Sequence, residues 1–169
     1  MIYIRPSPNA PIDQGDIIDR CPTVYVDSYN APGLDQIQWK SVACRVIVLT
    51  QTCDFANEKT KHATVSVAYD AQELVDKGWL KPAEIRGPVR SGRVYGWYFL
   101  PAALEFDLPE MVVDLRKLHT VRLDLLTELC NQHFRRARLS DLYRAHLGKH
   151  FADTYSRIGL PEPYATGSE

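Results

Sequence analysis

Four residues with usable chemistry crowd the end of one apolar stretch: Thr50, Thr52, Cys53 and Asp54 follow the run Cys44 to Leu49. A loop leaving a rigid strand is where catalytic and binding groups tend to sit. Cleavage of a phosphodiester by a neighbouring hydroxyl needs a proton acceptor, a donor to the leaving oxygen and cations for the phosphorane. Arg45, inside the same run, offers the planar guanidinium that suits phosphate oxygens. Asp54 or Asp70 can accept the proton, and Cys53 can do so if its thiol pKa is lowered. The ordinary reading of the same loop has Asp54 capping a turn and Cys53 as a small buried residue. Turn chemistry of that kind is the commoner use of these residue types.

A second group is basic. Residues 115–157 hold nine Lys or Arg against four Asp or Glu, whereas residues 1–60 hold five against seven. Arg116, Lys117, His119, Arg135, Arg136 and Arg138 are the candidates for a phosphate-binding footprint. A solvated face meeting an acidic protein partner accounts equally well for these charges. Tyr95, Trp97, Tyr98 and Phe99 offer rings on which bases could stack. Tyr95, Trp97 and Phe99 share one strand face, however, and such a face is more often core.

The metal-ligand sets are incomplete. Cys130 and His133 have C-x-x-H spacing, and His146 and His150 stand one helical turn apart, a spacing that can hold zinc. No second thiol accompanies the first set and no H-E-x-x-H pattern the second, so neither a metal nor another cofactor is expected. The four cysteines, Cys21, Cys44, Cys53 and Cys130, contain no C-x-x-C pair and are expected reduced, with Cys44 and Cys130 placed for burial.

These groups need a scaffold. Cys44–Thr50 is short, β-branched and almost continuously apolar, which predicts a buried strand. Residues 64–68 alternate and predict its antiparallel partner across a long polar connection. Further strands are predicted at Ile17-Ile18, at 24–26 before the turn signal Asn30-Ala31-Pro32-Gly33, at 93–100 and at 111–115. Residues 119–126 read as a strand, with a helix as the competing reading. Residues 71–78 predict a short helix ended by Gly78, and 80–92 read mostly as loop. Residues 140–158 predict a long helix with Ser140 as N-cap and Gly159 with Pro161 as the stop. The Leu142, His146 and Tyr155 side of its stripe is expected to pack on the sheet, with Leu147 on the flank. Residues 1–14 read as an extended arm and 161–169 as a frayed tail. About six strands and one helix predict a single α+β domain, mainly β: a small SH3-like barrel or strongly bent sheet with a packed C-terminal helix.

Composition narrows the classes. The 169 residues are 45% apolar and 24% charged, with a net charge of −1, which argues against disorder and against a globally basic binder. No apolar run is long enough to span a bilayer, and the first fourteen residues lack a signal-peptide core. A cytoplasmic chain without a membrane partner is the expectation.

The order of segments resembles the PemK/MazF-like small-barrel family. Gln14-Gly15-Asp16-Ile17-Ile18 is similar to that family's opening G-D-I/V strand. Cys44–Thr50 is similar to its strand beginning Arg-Pro and ending in a hydroxyl residue, and Val112 through Leu123 to its acidic strand, basic turn and second strand. The resemblance covers residues 14–158 in order, with few identities. It implies a barrel, RNA as ligand and metal-independent endoribonuclease activity of toxin or phage-defence type. Apart from the resemblance, the expected partner is RNA or a protein, and a homodimer is open to the chain. Two departures count against catalysis: Val46 stands where the family has Pro, and Ala68-Tyr69-Asp70-Ala71 lacks the family's catalytic Thr. The segment Gln51-Thr52-Cys53-Asp54 resembles uncharacterised bacterial proteins that also end in a helix. The alternative to an RNA-binding domain is a non-catalytic protein-interaction domain on the same scaffold.

Overall fold

A computed structural model describes residues 1–30, 36–57 and 60–156. Among these, seven strands form one antiparallel sheet: β1 (Tyr3–Ile4), β2 (Asp16–Ser28), β3 (Gln38–Val48), β4 (His62–Asp70), β5 (Trp97–Leu100), β6 (Met111–Arg122) and β7 (Arg135–Leu139). Their spatial order is β1-β7-β2-β3-β4-β6-β5. The helices are α1 (Thr52–Ala56), α2 (Ala71–Asp76), α3 (Pro82–Glu84), α4 (Leu123–Asn131) and α5 (Asp141–Tyr155).

The fold is α+β, as its pattern predicts, but the sheet is open rather than a closed barrel. Its two ends meet through a side chain: the Tyr3 hydroxyl on β1 donates to the Pro101 main-chain carbonyl just beyond β5, at 2.7 Å. Burial pushes the Tyr3 phenol far above its ordinary pKa, so it keeps the proton it donates. Beneath this closure lie Ile17, Ile47, Leu100, Met111, Leu115, Leu139 and Leu147, all at the centre of the main core. A second core under α4 joins Ile18, Val46, Val48 and Val65 to Leu126 and Leu129.

The central pair is as predicted. Val46, Ile47 and Val48 of β3 lie antiparallel to Val67, Ser66 and Val65 of β4, and Val46 and Val48 are fully buried. Continuous β-branched residues are what a strand needs when both its faces are covered.

Several boundaries differ from the sequence reading. Residues 80–92 are not loop: α3 runs into a wide π-type turn over Ile85–Val89 that buries both its end residues. The strand expected at 93–100 shortens to β5. Residues 111–122 form one strand, and both readings of 119–126 are half right, because β6 gives way to α4 at Leu123. The segment 52–56 is a short helix, and β7 occupies a run that reads as purely basic. The arm at 1–14 contributes β1 and buries Ile12. The turn residues 31–33, the stop at Gly159 and Pro161 and the tail 161–169 lie outside the described residues.

Only part of the expected side of α5 meets the sheet: the Tyr155 hydroxyl donates to the Leu115 carbonyl at 2.7 Å and His146 reaches Tyr98, but Leu142 does not take part. Leu142 is 75% exposed, whereas Leu147 is fully buried. Ser140 sits at the N-cap position, but its hydroxyl donates to the Met1 carbonyl and accepts no N–H from the helix. His146 Nδ1 shares a 3.0 Å hydrogen bond with the Tyr98 hydroxyl, and His150 Nε2–H donates to the Trp97 carbonyl at 3.2 Å. Burial pulls the His150 pKa below 6.5; the hydrogen bond to Trp97 opposes this, and His146 nearby adds to it. His119 moves the same way, through burial and Lys117. The folded chain therefore takes up these protons less readily than the unfolded one. Their contribution is complete above pH 6.5 and falls as pH drops through that value. Melting temperature is expected to fall between about pH 7.5 and about pH 5.5, with His150→Gln removing part of the slope. Identical slopes in parent and variant would exclude His150 as a source.

Candidate functional site

Two irregularities in the sheet create a cleft. The first is where β3 and β4 part. They pair from Val46 to Val48, and before Arg45 the outer edge of β3 has no strand beside it among the described residues. The second is in β6. Ser66 faces Leu118 but the next residue, Val67, faces Asp114, so Leu115, Arg116 and Lys117 form a bulge opposite β4. Bulges of this kind re-aim side chains at sheet edges and sites. Here the bulge swings Arg116 and Lys117 toward the gap. The resulting cleft has a volume of about 780 Å³ and is walled by Tyr25 and Val42 on one side and by Tyr69, Trp79 and Lys117 on the other.

Each cation in the cleft is held in place. Arg116 Nε donates to Asp114 Oδ1 at 2.8 Å, and its guanidinium lies 4.3 Å from the Trp97 ring centroid. The hydrogen bond to Asp114 raises the Arg116 pKa above its already high value. Arg116 fits because residue 96 is glycine with φ +75°: a Cβ there would sit 2.6 Å from Arg116 Cγ. Lys117 Nζ donates to the Tyr69 hydroxyl at 3.0 Å and lies 4.9 Å from the Trp79 ring centroid. Lys77 sits 5.2 Å from the same centroid and pairs with Glu73 at 2.5 Å. Tyr69 and Trp79 meet edge to face at 5.7 Å. The cleft thus presents a half-exposed indole flanked by two ammonium groups, with a guanidinium at its side. His119 also lines it, and burial together with Lys117 keeps its imidazole uncharged near neutral pH.

The residues expected to act together are divided. Arg45 reaches the cleft, but its Nε donates to Asp19 Oδ1 at 2.6 Å and its Nη1 to Asp70 Oδ1 at 3.0 Å. Asp19 also accepts from Arg136 Nε at 2.6 Å. Burial pushes the Asp19 pKa up, but the two guanidiniums outweigh it and hold the carboxyl below its ordinary value. Asp70 therefore serves Arg45 at the start of α2. Thr52, Cys53 and Asp54 lie on α1, beyond the other end of β3. Asp54 lines a separate cavity of about 650 Å³ with Gln51, Thr60 and His62. Cys53 is exposed rather than buried, and its Sγ faces the oxygens of Gln51 and Asp54.

The basic footprint divides as well. Arg116, Lys117 and His119 share the cleft. Arg135 and Arg138 do not reach it: both are bound to Asp16, which is fully buried, and Arg135 is itself 5% exposed. Arg136 links Asp19 to Asp107. Ion pairing thus occupies Arg135, Arg136 and Arg138 away from the cleft, and Asp114 holds Arg116 within it.

Sequence reasoning passes over Tyr25, Tyr69, Lys77 and Trp79. One signal was present: Trp79, a large aromatic directly after the Gly78 helix stop and two residues from a lysine on either side, belongs to neither the helix face nor a strand. No protein-family model matches this chain, and a search of the curated proteins finds no match either.

Proposed function

We propose that this chain is an RNA-binding domain that takes a single strand into the cleft between β3 and the β6 bulge. The observation that carries the reading is the Trp79–Tyr69 pair flanked by Lys77 and Lys117, with Arg116 alongside. Indole faces accept any unpaired base, and the cations neutralise successive phosphates. A resemblance to the PemK/MazF-like family supports the same ligand. Metal-independent cleavage is the catalytic extension of this reading. With Asp70 committed to Arg45 and Asp54 in a separate cavity, the proton acceptor within the cleft is His119, and the charge for the phosphorane comes from Lys117 and from the guanidinium donors of Arg116 that Asp114 leaves over.

Binding is expected to be stronger for single-stranded than for duplex RNA and to weaken with salt. Trp79→Ala and Lys117→Ala should each weaken it about tenfold, a loss of about 1.4 kcal/mol. Fluorescence anisotropy with a labelled mixed-sequence oligomer tests this, and unchanged affinity in both variants would sink the cleft as the site. A long RNA incubated with chelator tests cleavage separately. Binding without a cyclic-phosphate product leaves a binding module. A second reading, a protein-interaction domain, is favoured by the exposed apolar side chains on the β2–β3 ribbon.

A further inference from the structure

The β2–β3 ribbon extends past the rest of the sheet. β7 accompanies β2 only from Asp16 to Ile18, and β4 accompanies β3 only from Val46 to Val48. Among the described residues, 21–28 and 38–44 therefore pair with each other alone. A two-stranded ribbon is marginal in water unless a further strand or a packed layer joins it. This one also exposes six large apolar side chains: Val24, Tyr25, Val26, Tyr29, Ile37 and Trp39, the last 66% exposed. A cluster of that kind marks an interaction surface rather than scattered surface residues.

Among the described residues, the outer edge of β2 has no strand beside it from Thr23 to Val26. Leu49 N–H donates to Thr64 O, so odd-numbered residues of β3 direct their main-chain groups toward β4 and even-numbered ones toward β2. Lys40, Val42 and Cys44 consequently bond with Tyr25, Thr23 and Cys21. The N–H and C=O of Val24 and Val26 point the other way, out of the ribbon. Edge strands are ordinarily blunted by Lys, Pro or a bulge; here Pro22 and the register shift between Val26 and Ser28 bound the edge, and the stretch from Thr23 to Val26 between them carries none of these.

We propose that this edge is a seam at which a second copy of the chain pairs antiparallel about a two-fold axis. The edge is complementary to itself. With Val24 of one copy opposite Val26 of the other, the outward N–H and C=O groups bond in both pairs that the axis generates. Tyr25 then meets its own counterpart, Thr23 meets Asp27, and no like charges face each other. Aromatic pairs and β-branched pairs are the favourable cross-strand neighbours. On one face, Val24, Val26 and Trp39 of each copy join into a single apolar strip. The two ribbons become a four-stranded sheet, which supplies what each lacks alone. The seam does not depend on RNA binding.

Sedimentation velocity of the full chain over a range of concentrations is the test. The parent should sediment as a dimer. Val24→Lys with Val26→Lys sets ammonium groups against one another across the axis and should raise the dissociation constant at least about tenfold. The far-ultraviolet circular dichroism should stay unchanged. In a Cys53→Ser background, Tyr25→Cys should form a disulfide-linked dimer under mild oxidation, and Ser41→Cys, one strand inward, should not. A parent that stays monomeric at its highest soluble concentration would overturn the seam and leave this edge to a different chain. So would a dimer that the double lysine variant leaves intact, or one cross-linked equally well from residue 41.

Discussion

Asp16→Ala is expected to destabilise the fold by about 3–5 kcal/mol, although Asp16 belongs to no cavity discussed above. Its carboxylate is fully buried at the start of β2. Oδ1 accepts from Arg138 Nε at 2.7 Å; Oδ2 accepts from Arg138 Nη2 at 2.9 Å, Arg135 Nη1 at 3.3 Å and the Asp13 N–H at 3.0 Å. The same two guanidiniums reach out to main-chain carbonyls of Ser7, Pro8 and Pro11, tying the N-terminal strap to β7. Alanine would leave two mostly buried cations, with Asp13 as the remaining carboxylate partner of Arg138. An uncompensated buried charge costs far more than the intact pair contributes. Asp16→Asn keeps the shape and one acceptor and should fall between parent and alanine. Urea unfolding gives the difference directly. A loss below about 1 kcal/mol for Asp16→Ala would mean that the arginines find water instead.

Leu147→Asp should be of similar size, at least about 4 kcal/mol, because it removes a buried leucine and puts a carboxylate in its place. Leu147 is fully buried against the main core, where α5 lies over the sheet. Leu142→Asp, five residues earlier on the same helix, should change stability by less than about 0.5 kcal/mol, since Leu142 projects into solvent. The pair separates packing from helix propensity, as both substitutions put the same residue into the same helix. Comparable melting temperatures for the two variants would show that α5 does not pack as described.

The elements legible in the sequence are those whose burial is apolar and local. β3 and β4 announce themselves by β-branched runs, and α2 by its spacing and the glycine that ends it. β7 does not, because Arg135, Arg136 and Arg138 are made acceptable in a sheet by Asp16 and Asp19, more than a hundred residues away. The same remoteness hid the cleft. Lys117 and Tyr69 are 48 residues apart in sequence, and only the three-residue register shift in β6 brings them together. Periodicity carries no trace of such a shift, since each flank keeps its own alternation. Arg45, read from the sequence as a phosphate ligand within an apolar strand, has its charge met by Asp19 and Asp70 in the fold. On α5 the apolar stripe spans more of the circumference than the sheet covers, so spacing alone cannot separate Leu142 from Leu147.

The position of β7 also governs how this chain can be made. β7 lies between β1 and β2, bonded to Tyr3 and Ile4 on one side and to residues 16–18 on the other. During synthesis, β2 leaves the ribosome long before its neighbour at 135–139, a gap of roughly 10 s at bacterial or eukaryotic elongation rates. Through that interval Ile17 and Ile18, fully buried in the finished fold, have neither β7 beside them nor α4 and α5 to cover them. The N-terminal half therefore cannot mature first and wait. The sheet completes when its last strand slots between its first two, an arrangement of high contact order that folds slowly. Until residue 139 has emerged, a nascent chain of this topology keeps apolar surface and strand edges exposed, and a stall before that point leaves an open strand edge rather than a folded subdomain.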